Sequence, residues 1–235
     1  MTVRFLQLYP ELMNRSGDHG NVMALASRLR EAGARVEIDQ ASFGEEMDFS
    51  AYDLIYAGDA PLTGLCLAIR DLAPRGQALK AAADAGRTLL FTGSARALLG
   101  RDLRLASGAV LHGAGLLAES HREVSPFTAD VLALRPGMGA TEYVGSFDRR
   151  LEADAASERP LFQVLKGVGD RPNALYEGAL KGGIYATYLL GPLLVRNPEL
   201  MEELAGRLLG GSAPARSFCF DTEAKAAALE AIHRR

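Results

Sequence analysis

The chain has 235 residues, of which 48% are hydrophobic and 23% are charged, and its formal net charge is -3. This composition suits one large α/β domain or two small ones, and it gives no overall basic field that would favour nucleic acid. The two cysteines, Cys66 and Cys219, form neither a disulfide framework nor a CxxC metal pair. No signal peptide and no apolar run of about 20 residues is present. The sequence therefore predicts a cytoplasmic protein without a metal, a nucleic-acid partner or membrane insertion.

The first part of the chain alternates predicted strands with predicted helices. Helices are expected at Val22–Ala32 and Gln77–Ala85, with a further helical region that is interrupted near Pro74. Strands are expected at Thr2–Tyr9, Arg35–Ile38 and Tyr52–Ala57, and a further strand is expected at the start of residues 88–100. This alternation is typical of βαβ units, and it predicts a parallel sheet with helices on both faces.

The rest of the chain has a different character. Short β-like runs broken by glycines are expected at Ala109–Leu117, Val131–Leu134 and Thr141–Phe147, followed by a mixed segment at Leu151–Gly169 and a strand at Gly183–Leu189. Pro198 and Glu199 open an amphipathic helix that runs through Leu209. We expect a domain over residues 1–210, and a linker (210–215) and a helix (221–233) within residues 211–235.

The stretch Thr88–Gly100 (TLLFTGSARALLG) predicts a buried strand that turns sharply into a helix. In open α/β sheets the functional crevice lies beyond the carboxyl ends of the strands. Four loops should meet there, at residues 14–21, 58–64, 93–96 and 190–192. The turn at residues 93–96 should lie at the centre of any site.

Three segments resemble a single family. They are LYPELMN followed by GDHGN (residues 8–21), the strand and loop at residues 52–58, and the run from Glu177 to Pro198 that contains TYLLGPLL. Together they resemble the motifs of GatD-type glutamine amidotransferases, of the CobB/CobQ-like class I group. The resemblance implies a three-layer, flavodoxin-like α/β domain with a mostly parallel central sheet, and no cofactor. It also implies a partner, because GatD-type subunits pair with MurT, a Mur-ligase-like protein, to amidate the stem peptide of lipid II.

In that family a cysteine at the turn attacks the side-chain amide of glutamine, backbone N–H groups bind the oxyanion, and a histidine assists. Alignment on residues 97–100 (ALLG) places the cysteine at Gly93, and the histidine of the family motif falls at Leu190. Glycine has no side chain to attack with, and leucine cannot take a proton. The family's glycine-rich loop is GDAP here, in which Pro61 lacks an N–H donor. The resemblance thus implies a catalytically degenerate chain with no catalytic residue.

A hydroxyl beside the lost position leaves one alternative open, in which Ser94 is the nucleophile. The turn faintly resembles the G-x-S-x-G elbow, although Arg96 occupies the position of the final glycine. His112 and His121 are the mid-chain candidates for a base. Ser94 would otherwise cap the helix that follows.

Two further sets of residues are candidates for binding. Gly58, Asp59 and Ser94 would bind the substrate, although Asp59 also suits an ordinary turn. Asp18, His19 and Asn21 precede or open a helix, where backbone donors and the dipole suit an anion or a carboxylate. This loop is therefore expected to contact a partner or an anion, with Asp18 and Asn21 also suited to loop and cap roles.

The sequence thus predicts a glutamine amidotransferase-like subunit that binds or regulates a MurT-like or other ATP-dependent amide ligase. One alternative is an active amidase or glutaminase that uses Ser94, Cys66 or a residue supplied by the partner. Another is a sensor that binds glutamine or another amino acid in the pocket where the family binds its glutamine substrate.

Overall fold

The computed structural model describes residues 1–136, 140–154, 158–211 and 219–235. Its first part alternates strands and helices as expected: β1 (Thr2–Leu8), α1 (His19–Glu31), β2 (Arg35–Ala41), β3 (Leu54–Ala57), α2 (Leu62–Leu72), α3 (Gly76–Asp84), β4 (Thr88–Phe91) and α4 (Arg96–Leu99). β1 pairs in parallel with β2 and β3, and β3 pairs in parallel with β4. The predicted βαβ units and parallel sheet are therefore confirmed.

Two boundaries in this part of the chain differ from the prediction by three residues. α1 begins at His19 rather than at Val22, and β2 continues to Ala41 rather than ending at Ile38. Polar residues stand at both of these ends, so the apolar pattern of the sequence did not mark them. In β2, Asp39 and Gln40 continue the ladder with β1 although neither is buried, because strand pairing needs only backbone groups.

The strand order of this sheet is completed by residues late in the chain. β12 (Ile184–Ala186) pairs in parallel with β4, and β11 (Ala179–Lys181) pairs antiparallel with β12 at the edge. Within the described residues the order is β11-β12-β4-β3-β1-β2. Because β12 lies next to β4 in this order, the turn that follows β4 (residues 93–96, the elbow) lies beside the segment that follows β12.

Two cores lie on opposite faces of the sheet. In β1, Val3 and Phe5 pack in a core with α1 and α6 (Pro198–Leu209), whereas Leu6 and Leu8 pack in a core with α2 and α3. This alternation has the period of two that a strand covered on both sides requires. The sheet is the middle of three layers, as the fold prediction stated.

The middle of the chain forms a second sheet from β5 (Asp102–Arg104), β6 (Val110–His112), β7 (His121–Pro136), β8 (Tyr143–Ala153), β9 (Phe162–Lys166) and β10 (Tyr176–Glu177). The short runs predicted at Val131–Leu134 and Thr141–Phe147 were wrong in extent, since they are parts of β7 and β8. The ladder between β7 and β8 is irregular between Glu123 and Thr128, and none of residues 124–130 is buried. A strand without a buried face carries no hydrophobic period, so the sequence pattern could not mark it.

The chain ends with α5 (Leu193–Arg196), α6 and α7 (Cys219–His233). α6 has the predicted bounds, and α7 confirms the C-terminal helix; residues 212–215 of the predicted linker lie outside the described residues. Ile232 of α7 packs against Ala133 of β7 and Val144 of β8. The division at residue 210 stays a prediction. Among the described helices, none combines the length and apolarity needed to cross a bilayer.

Candidate active site

The elbow has the shape that the sequence predicted. β4 ends at Phe91, a short 3-10 turn covers Gly93–Ala95, and α4 follows directly. Gly93 is buried, has a φ of +61°, and donates its N–H to the carbonyl oxygen of Leu189 at 2.9 Å. A nucleophile elbow needs a strained backbone of this kind, and glycine adopts it without steric cost.

The space over Gly93 is taken by a carboxylate side chain. A Cβ atom added to Gly93 would lie 2.5 Å from Cβ of Asp59 and 2.8 Å from its Oδ1. Both distances are far below ordinary contact, so no side chain fits at position 93 unless Asp59 moves. The Asp59 side chain, from the loop after β3, therefore fills the space that a side chain at position 93 would need.

Asp59 is held in that place by donors from two other loops. Its Oδ1 accepts a hydrogen bond from the Ser94 backbone N–H at 2.9 Å. Its Oδ2 accepts from Nε of Arg15 at 2.8 Å and from Oγ of Ser16 at 3.3 Å. Nη2 of the same arginine donates to Asp148 of β8 at 2.7 Å. An ion-pair chain therefore crosses the crevice from one sheet to the other.

The four loops meet as predicted. Residues 15, 59 and 94 are joined through the Asp59 carboxylate. The loop after β12 contributes Leu190 to the cavity that Asp59 and Ser94 also line. It contacts the first loop as well, since a Cβ on Gly20 would lie 3.0 Å from Pro192. Gly93 and Leu190, at which the resemblance places the family cysteine and histidine, line one cavity. The alignment thus identified two positions that are neighbours in space.

The cavity itself is small. Its volume is about 30 Å³, which is room for water but well below the roughly 300 Å³ at the lower end of ligand pockets. Its polar lining consists of Arg15, Asp59, Ser94, Asp148 and Arg150. Arg96 and Pro61 are not among the residues that line it.

Ser94 lies at the cavity without an activating partner. Its Oγ accepts from the backbone N–H of Ala60 at 2.8 Å and lies 3.2 Å from that residue's carbonyl oxygen. No histidine of the described residues lines the cavity. His112 is 84% exposed beside Asp102, and His121 hydrogen-bonds Tyr188 in the interior. The structure does not bring Ser94 together with either predicted base.

The loop at residues 18–21 lies mostly inside the protein. The carboxylate of Asp18 accepts from the Ser16 N–H at 2.9 Å, and burial raises its pKa. Asn21 donates to the Tyr56 hydroxyl at 3.0 Å and accepts from the Leu194 N–H at 2.9 Å. Both side chains join separate segments, as a loop role predicts, but the predicted cap role is wrong for Asp18, whose side chain makes no capping hydrogen bond to α1.

His19 and Gly58, two further candidates, have different surroundings. Nδ1 of His19 lies 2.7 Å from Oε1 of Gln7, and the ring is partly exposed. Gly58 is in close contact with Asp18, because a Cβ on it would lie 2.4 Å from Cβ of that residue. Gly58 is not among the residues that line the cavity. Contact of His19 with a partner, and of Gly58 with a substrate, stay predictions.

A buried charge cluster stands behind the elbow, on the other side of α4. Arg96 is completely buried, donates Nε and Nη2 to Glu119 at 2.8 and 2.7 Å, and makes two hydrogen bonds to Asp170. Its guanidinium lies 4.6 Å from the ring centre of Tyr188. Nη1 also lies 3.7 Å from Glu177, whose pKa is raised to about 8 by burial and by the charge of Asp170. This cluster anchors the turn to the loops around it.

Cys66, the remaining candidate that the structure describes, is not among the residues that line the cavity. Cys66 is partly buried, and burial raises the pKa of its thiol, which disfavours the thiolate. The side chain of Cys219 is outside the described part of the structure. The described residues contain no group of three or more His, Cys, Asp or Glu side chains that could hold a metal.

Sequence reasoning missed Arg15 and Asp148, the two residues that hold Asp59 in place. Arg15 lay in the loop at residues 14–21 that the sequence predicted to reach the crevice, whereas Asp148 directly follows the predicted run Thr141–Phe147. Their pairing could not be read from the sequence, since they are 133 residues apart and on different sheets.

The fold and the elbow together define an α/β protein with the fold seen in glutamine amidotransferases. A crystal structure described as a glutamine amidotransferase matches 86% of this chain and 98% of its own, with a TM-score of 0.55 and 14% identity, which shows the fold. Over most of its length the chain is similar to GatD, the subunit of lipid II isoglutaminyl synthase. It is 25% identical to GatD of Streptococcus pneumoniae over 84% of this chain and 76% of that one, and 24% identical to GatD of Staphylococcus aureus over 82% and 78%. No family model matches. The resemblance to GatD-type glutamine amidotransferases is thereby confirmed.

Proposed function

We propose that this chain is a GatD-like amidotransferase subunit that does not hydrolyse glutamine and serves as the binding or regulatory partner of an ATP-dependent amide ligase of the MurT kind. The two relatives it resembles are subunits of lipid II isoglutaminyl synthase. The proposal extends the ligase partnership to this chain and places the complex in the cytoplasm, where ATP is available. The amidated substrate would then be a cell-wall precursor.

One observation supports the proposed loss of glutaminase activity. The carboxylate of Asp59 accepts a hydrogen bond from the backbone N–H of Ser94, and the Asp59 side chain fills the space above Gly93. The N–H that follows a nucleophile usually helps to bind the oxyanion of the tetrahedral intermediate. A carboxylate at that N–H would repel a developing negative charge, so the site opposes the reaction as well as lacking its nucleophile.

The partner role is supported by what the chain has retained. The segments with family motifs form ordered, buried elements: Tyr9 and Glu177 are buried, and Gly191 packs on Asp18. Glu177 accepts from the Thr187 hydroxyl and the Tyr188 N–H, both at 2.7 Å, which fixes the segment that leads to Leu190. A scaffold kept without its catalyst is expected of a subunit that binds rather than reacts.

Glutamine turnover by the purified chain, alone and with a MurT-type ligase, tests the first half of the proposal. We expect ammonia release at the level of the protein-free blank in both cases, while S. pneumoniae GatD with its own partner serves as the active control. Turnover above the blank that survives Ser94→Ala and Cys66→Ala would contradict the proposal directly.

The altered-chemistry alternative has its own test. Diazo-oxo-norleucine alkylates a nucleophile that is poised for glutamine, and peptide mass mapping locates the label. We expect no labelled peptide from residues 88–100, because Ser94 is bonded to Ala60 and no histidine of the described part of the chain lies at its cavity. A label at Ser94 that is lost in Ser94→Ala would favour an active enzyme.

The partner half is tested by binding and by ligase activity. Co-purification with the MurT-type ligase should give a stable complex, and the chain should raise amidation that uses free ammonium. His19→Ala is the variant of interest, since His19 is the partly exposed member of the predicted partner loop. Absence of both complex and stimulation would overturn the partner role while leaving the loss of glutaminase activity standing.

A further inference from the structure

Asp59 has the contacts of a bound carboxylate rather than those of a turn residue. An aspartate in a turn accepts from backbone groups about two residues on. The donors to Asp59 are instead 44, 43 and 35 positions away in the chain: Nε of Arg15, Oγ of Ser16 and the N–H of Ser94. Its side chain is only 5% exposed.

The three donors are fixed by contacts that do not involve the Asp59 carboxylate. Nη2 of Arg15 is bonded to Asp148, and the Arg15 N–H donates to the backbone oxygen of residue 59 at 3.1 Å. The Ser16 N–H is bonded to Asp18, and the Ser94 hydroxyl is bonded to the backbone of residue 60. The donors should therefore keep their positions when the carboxylate is removed.

We propose that the Arg15 guanidinium, the Ser16 hydroxyl and the Ser94 backbone N–H form a binding site for a small carboxylate, and that the chain occupies this site with its own Asp59. The inference rests on the proposed function, because a reactive side chain at position 93 would need the space that Asp59 fills. Charge-assisted donors around one carboxylate are the strong kind of hydrogen bond. The intact chain is consequently closed to free carboxylates, amino acids included, since about 30 Å³ remains.

Removal of the internal carboxylate should open the site to the smallest external one. In Asp59→Ala, sodium formate at about ten times its dissociation constant should raise the thermal midpoint by roughly 3–6 °C relative to sodium chloride at equal ionic strength. Wild-type protein should show no difference between the two salts. Arg15→Met in the Asp59→Ala background should abolish the difference, because the guanidinium supplies the charge.

Asp148→Ala is the matched control. It also removes a carboxylate from Arg15, but it leaves Asp59 on the Ser94 N–H, so formate should act no differently from chloride. If Asp59→Ala does not fold in chloride, Asp59→Ser takes its place, and folding of either variant on addition of formate supports the proposal.

Equal midpoints in formate and chloride for folded Asp59→Ala or Asp59→Ser would overturn the carboxylate site. The same formate response in Asp148→Ala would overturn it as well. These readouts are independent of glutamine turnover, so a failure here is distinguishable from a failure of the proposed function.

Discussion

Arg96 and Glu119 form a bidentate ion pair with no exposed atoms on either side chain, with nitrogen–oxygen distances of 2.8 and 2.7 Å. Asp170 accepts two further hydrogen bonds from the same guanidinium. The pair connects α4, which follows the elbow, to the segment that precedes β7. Because charges in the interior are costly unless they are paired, the cluster makes the position of the elbow depend on two distant segments, around residues 119 and 170.

Arg96→Met tests that dependence. The substitution keeps most of the volume but leaves Glu119 and Asp170 buried without a cation, so we expect a loss of about 3–5 kcal/mol in the free energy of unfolding. Urea denaturation measures it. Arg101→Met is the control, since that side chain is 59% exposed and lies 3.7 Å from Asp154, and its loss should stay within about 1 kcal/mol. Similar losses in the two variants would contradict a structural role for the cluster.

Gly93→Ala tests how tightly Asp59 fills the elbow. The new Cβ meets both a positive φ and the Asp59 side chain, so we expect a loss of about 1–3 kcal/mol from overlap in addition to the backbone strain. Gly86→Ala isolates the strain, because Gly86 has a φ of +90° and open space around it.

The overlap should disappear when Asp59 is shortened. In an Asp59→Gly background, Gly93→Ala should cost no more than Gly86→Ala does in the wild type. A double-mutant cycle from urea denaturation gives the coupling directly. Additive losses would show that the side chain of Asp59 does not restrict position 93.

The buried His121 should make the folded chain less stable at acidic pH. Burial and the charge of Arg96 lower its pKa from 6.5 to about 3. Below pH 6.5 the unfolded chain binds a proton at His121 that the folded chain does not bind, so stability should fall as the pH decreases from 6.5 towards 3. The slope contributed by one proton is at most about 1.4 kcal/mol per pH unit.

The matched measurement is the free energy of unfolding against pH for His121→Phe. This variant loses the hydrogen bond to Tyr188 and should be less stable overall, but its decline below pH 6.5 should be shallower than that of the wild type. His112→Gln is the control: it leaves the buried imidazole of His121 in place and should reproduce the wild-type slope. A wild-type slope in His121→Phe would exclude His121 as the source.

Asn21 and His19 separate structure from recognition in the predicted partner loop. Asn21→Ala removes the acceptor of the Leu194 N–H and the donor to the Tyr56 hydroxyl, all buried, and should cost about 1–3 kcal/mol. His19→Ala should change stability by less than about 0.5 kcal/mol and should weaken ligase binding. Calorimetry and a pull-down with the ligase check the two variants, and the opposite assignment of effects would contradict this division.

Patterned local signals explain which parts of the fold were predictable. The helix at Pro198–Leu209 was predicted with the bounds observed, and a strand was predicted at the start of residues 88–100, because proline, apolar periodicity and flanking glycines mark them in the chain itself. β7 and β8 were predicted only in fragments. Their exposed stretch around residues 124–130 is held by strand pairing, which leaves no hydrophobic pattern.

By itself, the sequence determined the three-layer α/β fold, the bend at Gly93, and the absence of a cysteine and a histidine at positions 93 and 190. These follow from residue types and from motifs that act over a few residues. Only the tertiary structure decided what fills the site. Arg15, Asp59, Ser94 and Asp148 are far apart in the chain, and their contacts exist because parallel strands bring their loops to one edge and β8 crosses it. Ion pairs between distant loops depend on geometry that no local pattern records.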